Sequence, residues 1–152
     1  MKLCSDVLKA LEGKTLVTAE SLTGGGIGGA LTSVPGASKV FKGGVISYTD
    51  EVKREVLSVP AADLTTFGAV SAPVAAAMAR GVRELLKADV AVSVTGLAGP
   101  DGDDFGHEVG TVFIGYADKK ITTAGEYHFP GDREAVRRQT IQAALQLILD
   151  NQ

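Results

Sequence analysis

Cysteine and histidine are nearly missing from this chain: Cys4 stands alone, and His107 and His128 are the only imidazoles. A single cysteine rules out an internal disulfide and any multi-cysteine metal site. With so few soft or imidazole ligands, a zinc centre is not expected. Basic residues are not in excess either. The 15 lysines and arginines face 18 aspartates and glutamates, for a net charge of −3, which argues against nucleic acid as a partner. No apolar run reaches the ~18 residues of a membrane span. The first residues, which include Lys2, Asp6, Lys9 and Glu12, lack the apolar core of a signal peptide. Linkers, repeats and low-complexity stretches are absent as well. These gaps lead to one expectation: a cytoplasmic single domain over residues 1–152, working without metal, cofactor, nucleic acid or membrane.

What is present suits a globular fold. The chain has 152 residues, 45% of them apolar and 22% charged, enough to bury roughly two thirds of the unfolded surface. Leu3, Val7, Leu8 and Leu11 fall at helical spacing, and Gly13 would end that helix. Leu16-Val17-Thr18 reads as a buried strand, followed by a Gly/Ala-rich helix over residues 23–31 that Pro35-Gly36 breaks. So many small residues predict close packing against the sheet or against another copy of the chain, and a homo-oligomer is expected. A strand over residues 43–48 precedes a short helix at 50–57. A longer helix spans 69–86, with Ser71 as N-cap and Pro73 in its first turn. Val90-Ala91-Val92-Ser93-Val94 is a continuous apolar run, the mark of a strand covered on both faces. A Gly/Asp-rich loop over 95–107 leads to strands at 109–116 and 120–129 that turn at Asp118-Lys119. Gly131-Asp132 opens the last helix, with Ala135, Ile141, Leu145 and Ile148 as its core stripe. Helices alternating with strands, then a hairpin, predict a three-layer α/β/α sandwich with a mixed, mostly parallel sheet.

Ligands in such sheets gather beyond the carboxyl ends of the strands. Glu20-Ser21, Tyr48 and Thr95-Gly96 each follow a predicted strand. Ser21 is the first candidate nucleophile, and a serine needs a partner to accept its proton. Neither histidine is placed for that. A lysine held neutral by partial burial can serve instead, and Lys53 sits one turn into the helix after Tyr48, which could relay or orient the proton. The plainer alternative is that Ser21 caps a helix and Lys53 lies on a solvated face. Thr23, Gly24, Gly25 and Gly26 can supply backbone N–H donors to an oxyanion or anion, or can simply allow close helix–sheet packing. No Gly-Lys-Ser/Thr follows them, so this is not a phosphate-binding Walker loop. Thr95-Gly96-Leu97-Ala98-Gly99-Pro100 forms a second glycine loop, either a turn or a ligand wall. Arg133 can hold a phosphate by a forked contact or pair with Glu134. Asp101, Asp103 and Asp104 lack the spacing of a cation loop and read as solvated.

Taken in order, these segments resemble the C-terminal domain family of CinA, the competence/damage-inducible protein. The matching stretches include residues 18–25, Val34-Pro35-Gly36-Ala37-Ser38, Phe41-Lys42-Gly43-Gly44-Val45, Tyr48 with Glu51-Val52-Lys53, Gly68-Ala69-Val70-Ser71, residues 95–102, Val109-Gly110-Thr111-Val112 and Gly131-Asp132-Arg133. They cover nearly the whole chain from about residue 15. The resemblance implies an α/β/α sandwich and a nicotinamide-nucleotide amidohydrolase that converts nicotinamide mononucleotide and water into nicotinic acid mononucleotide and ammonia, in pyridine-nucleotide salvage. It implies Ser21 as nucleophile, Tyr48 and Lys53 as activating partners, and Thr95 and Gly96 as pocket lining. Glu20, Thr23, Gly24, Gly25 and Arg133 complete the expected substrate contacts. Family members stand alone or follow a larger N-terminal domain, whose activity is not expected here. A non-catalytic nucleotide-binding module with the same fold is the alternative.

The chain departs from the family at two places. His107-Glu108 stand where Lys-Pro is usual, and Thr49-Asp50 where Ser-Asn is common. A carboxylate at Asp50 is expected to raise the Lys53 pKa and blunt it as a base.

Overall fold

The computed structural model of the protein describes residues 2–152. Five strands, β1 (Leu16–Glu20), β2 (Phe41–Ile46), β3 (Val90–Gly96), β4 (Thr111–Ala117) and β5 (Thr122–His128), make one sheet in the order β2-β1-β3-β4-β5. β1 lies parallel to β2 and β3, whereas β4 is antiparallel to both β3 and β5. β4 alone runs against the other four. In the centre, Glu20 pairs with Ile46 on one side and Val94 on the other, so β1 and β2 end level while β3 runs two residues further, to Gly96. That edge is where the site forms.

Six helices complete the expected sandwich: α1 (Lys2–Ala10), α2 (Gly26–Thr32), α3 (Asp50–Glu55), α4 (Ala61–Phe67), α5 (Ala72–Leu86) and α6 (Arg133–Asp150). On one face α5 crosses all five strands. Its alanines and Gly115 of β4 permit the approach: a Cβ on Gly115 would lie 2.3 Å from the Ala75 carbonyl. α1, α2 and α6 cover the other face, burying Leu8, Leu16, Ile27, Val92, Ile114 and Ile148 in one core cluster. The small residues of α2 do give close packing, in part against α6, since a Cβ on Gly26 would meet Ile141 at 2.7 Å. No helix among the described residues is long and apolar enough to cross a membrane.

Several boundaries move relative to the sequence reading. α2 begins at Gly26 because Gly24 and Gly25 take φ of +59° and +99°, which no helix accepts. α4 was not foreseen, since it buries only Leu64 and so carries no apolar period. α5 starts at Ala72. Ser71 occupies its N-cap position, but the hydroxyl donates to the Gly68 carbonyl (2.8 Å) and does not cap the helix. α6 opens at Asp132 as expected, and the Asp132 side chain caps it by accepting from the Ala135 amide. Its buried stripe is Val136, Thr140, Ala144, Leu145 and Ile148, with Ala135 and Ile141 only half-buried.

Candidate active site

Ser21 and Ser47 are the first residues beyond β1 and β2, and backbone bonds tie both to the sheet. The Ser21 amide donates to Val94 O (3.0 Å) and the Ser47 amide to Glu20 O (2.8 Å). Thr49 then caps α3 by accepting from the Val52 amide. One turn in, Lys53 points back at the sheet edge, where its Nζ donates to Ser21 Oγ (3.1 Å) and Ser47 O (2.8 Å). Lys53 is 1% exposed and Ser21 7%. Burial pushes the Lys53 ammonium below its ordinary pKa, and Asp50 only partly opposes this. The expected blunting by Asp50 is therefore outweighed by desolvation, which disfavours the charged form.

Ser21 and Lys53 open into a cavity of about 570 Å³. Tyr48, Thr95, Gly96 and Arg133 also line it, so sequence-distant candidates do converge there. Arg133 donates to Gly99 O (2.6 Å) and to the Tyr48 hydroxyl (3.1 Å). Tyr48, 58% exposed, therefore sits on the rim beside Arg133, with no hydrogen bond to Ser21 or Lys53 among the described residues. Thr95 spends its hydroxyl on Ala69 O (2.9 Å) and contributes a wall. A Cβ on Gly96 would lie 2.7 Å from Thr111 O, so only glycine lets β3 and β4 stay this close there.

Four expected substrate contacts lie elsewhere. The Glu20 carboxylate is 2% exposed and turned into the fold. It accepts from Thr23 Oγ1 (2.6 Å), the Ile27 and Gly28 amides (2.8 and 3.1 Å) and Thr18 Oγ1 (3.2 Å). Adjacent strand residues point to opposite faces, which separates Glu20 from Ser21. Thr23, Gly24 and Gly25 also do not line the cavity. The Gly24 amide closes a turn on Ser21 O, and the Gly26 amide one on Thr23 O. These glycines shape the turn, outside the lining of the cavity.

Sequence reasoning missed three features. Ser47 holds Lys53 through its carbonyl. Arg137 of α6 grips the nucleophile turn, donating to Leu22 O (3.0 Å) and Thr23 O (3.1 Å). The segment 101–105 forms a wall of the cavity, where the sequence suggested only a solvated loop. Asp103 organises that wall by accepting from the Phe105 and His107 amides and from the His107 ring (2.7 Å). Burial works against its charge, but these bonds hold its carboxyl below the usual range. The spacing of Asp103, Phe105 and His107 was the available signal, an Asx-type turn. Among the described residues no cluster of three or more His, Cys, Asp or Glu could hold a metal.

A three-layer α/β/α domain, whose parallel strands deliver a buried hydroxyl–amine pair to one cavity, is the class this geometry defines. The chain belongs to the CinA family: the family model for the CinA C-terminal domain matches residues 2–151. It is 46% identical over 135 residues to a CinA-like protein of Endomicrobium trichonymphae, covering 89% of this chain and 32% of that protein. A CinA-like protein of Synechococcus sp. (strain CC9311) is 60% identical over 114 residues, covering 74% and 27%. The chain thus spans about a third of the length of these curated relatives. Among solved structures, a CinA superfamily protein from Escherichia coli aligns with a TM-score of 0.96 at 36% identity, over 99% of this chain and 88% of that one. The competence damage-inducible protein A from Klebsiella pneumoniae aligns at 0.95 and 35%, over 98% and 94%.

Proposed function

We propose that this domain is a metal-independent amidohydrolase that deamidates nicotinamide mononucleotide to nicotinic acid mononucleotide and ammonia. The observation that carries the reading is the buried 3.1 Å contact between Lys53 Nζ and Ser21 Oγ, with the lysine's pKa depressed by burial. A depressed amine can accept a proton near neutral pH, where an ordinary lysine cannot. Family membership supports the substrate class.

In this reading Ser21 Oγ attacks the carboxamide carbon while its proton passes to Lys53 Nζ. The carbonyl electrons move onto oxygen. Collapse breaks the C–N bond, and the nitrogen takes the proton from Nζ and leaves as ammonia. Water then attacks the acyl-enzyme, giving a proton to Nζ; expulsion of Ser21 returns that proton to Oγ. For the oxyanion, the Leu22 amide is the suitable donor, since Leu22 lines the cavity and its amide has no intramolecular partner among the described residues. Arg137 holds the Leu22 carbonyl and so steadies the turn that carries this amide. Arg133 offers the nucleotide phosphate a cation at the rim, and Thr95 and Gly96 form the wall.

The test is ammonia release from nicotinamide mononucleotide by the intact chain, Ser21→Ala and Lys53→Met. Release by the wild type and loss in both variants is expected. Tight nucleotide binding without release by the wild type would favour a binding module and overturn the enzyme. Full activity in Ser21→Ala would overturn the mechanism.

A further inference from the structure

Among the described residues, Ser47 Oγ is the one buried side-chain polar atom without a hydrogen-bond partner. Ser47 is 0% exposed, and a buried hydroxyl left unpaired is costly. Its position gives it a use. The carbonyl of the same residue touches Lys53 Nζ at 2.8 Å, and a serine has three staggered χ1 wells for its hydroxyl.

Counting donors on Nζ shows when that hydroxyl is needed. A neutral amine has two N–H groups and one lone pair. Ser47 O takes one N–H, and the lone pair is what Ser21 requires. After the proton arrives, the ammonium has three N–H groups. Ser47 O and the reacting centre accept two. The third needs an acceptor of its own, and Lys53 is 1% exposed.

We propose that Ser47 is a positioning residue whose hydroxyl turns onto Lys53 Nζ and accepts the third N–H of the protonated amine. It steadies the lysine while it carries the proton from Ser21 to the leaving nitrogen. The inference rests on the reading of Lys53 as proton carrier. The groups facing Lys53 are Ser21 beyond β1, Ser47 beyond β2 and Asp50 on its own helix; across the cavity stand Asp101, Asp103, Asp104 and Arg133. Beside Ser21, which is itself the reacting group, Ser47 is the uncharged member of this set that can accept from Nζ.

A hydrogen bond that favours the charged form raises a lysine's pKa, so removing it must lower that pKa further. The experiment is a lysine ε-¹³C NMR titration of the intact chain, with the Lys53 signal assigned by its loss in Lys53→Met. In Ser47→Ala the Lys53 pKa should fall by roughly one unit, the worth of a hydrogen bond to a charged group. Ser47→Thr, which restores a hydroxyl, should return it to the wild-type value, and the acid limb of kcat/KM should follow both changes. An unchanged or raised Lys53 pKa in Ser47→Ala overturns the proposal. Because Ser47 Oγ holds no partner, Ser47→Ala leaves no broken bond, and an unaltered thermal melt confirms the fold. If the wild type releases no ammonia, the amidase reading fails while the titration still decides the Ser47 question. If the wild type is active and the titration is flat, Ser47 alone is excluded.

Discussion

Two glycine-rich segments lie at the ends of neighbouring parallel strands, and they serve different ends. Residues 96–99 all line the cavity. Residues 23–26 turn away from it, closing backbone turns and packing against α6. The N-terminus of α2 looks like a ready anion site, but the protein's own Glu20 carboxylate already accepts there from the Ile27 and Gly28 amides. Glycine density marks close backbone passage in both segments. Which one meets a ligand depends on what the neighbouring side chains have already filled. In the proposed reading, Arg133 on the rim is the cation that remains for a substrate anion.

The sharpest way to break this contrast is to mutate the two neighbours Glu20 and Ser21, one on each side of the divide. Ser21→Ala should lower kcat/KM on the order of 10³-fold or more, since the covalent route vanishes, with the melting temperature nearly unchanged. Steady-state ammonia release and a thermal melt read both halves. Glu20→Ala should instead act on the fold. It strands two amides and two hydroxyls that now share one buried carboxylate, a loss of about 3 kcal/mol. For a chain of this size that is a fall in melting temperature of roughly 6–12 °C. Glu20→Ala retaining full stability but losing substrate affinity would return Glu20 to the site and erase the distinction.

Within the cavity segment the effect is smaller and mixed. Gly96→Ala places a Cβ 2.7 Å from Thr111 O and 2.9 Å from Val112 Cα, both backbone atoms that cannot give way cheaply. A loss of about 2 kcal/mol is expected from overpacking, together with a raised KM as the β3–β4 wall moves. Denaturant unfolding and a kcat–KM split check this. A loss of stability with KM untouched would mean that Gly96 supports the sheet without shaping the pocket.

Much of this was legible beforehand, for identifiable reasons. The continuous apolar run of β3 and the strand ending just before Ser21 are local signals, and they located the sheet edge where Ser21, Tyr48, Lys53, Thr95 and Arg133 converge. Side-chain direction was harder to read. Glu20 looked like a ligand contact because a charge at a strand end usually faces solvent or substrate, and its four donors come from as far along as Gly28. Lys53 looked equally suited to a solvated face, because α3 is too short to show a period. Ser47 carried no signal, since its contribution runs through a carbonyl that every residue has. Tyr48 was drawn toward Lys53 by sequence proximity, yet its hydroxyl meets Arg133, 85 positions away.

The smallest expected effect concerns what the cavity side of the comparison costs the fold. Lys53 is held in the folded state with its pKa below the ordinary lysine value of 10.5, because burial disfavours the charged amine. Below its folded pKa the chain bears the full penalty of a buried charge. Between that pKa and 10.5 the unfolded chain binds more protons, so the Lys53 contribution to stability improves as pH rises. Lys53→Met keeps the volume and removes both the charge and the slope. It should be inactive yet more stable than the wild type by about 1 kcal/mol at neutral pH, with the advantage shrinking as pH rises through the folded pKa of Lys53. Urea unfolding of both chains across that range is the measurement. A methionine variant less stable than the wild type at pH 7 would mean that the bonds to Ser21 and Ser47 repay the burial, leaving Lys53 as much a structural tie as Glu20.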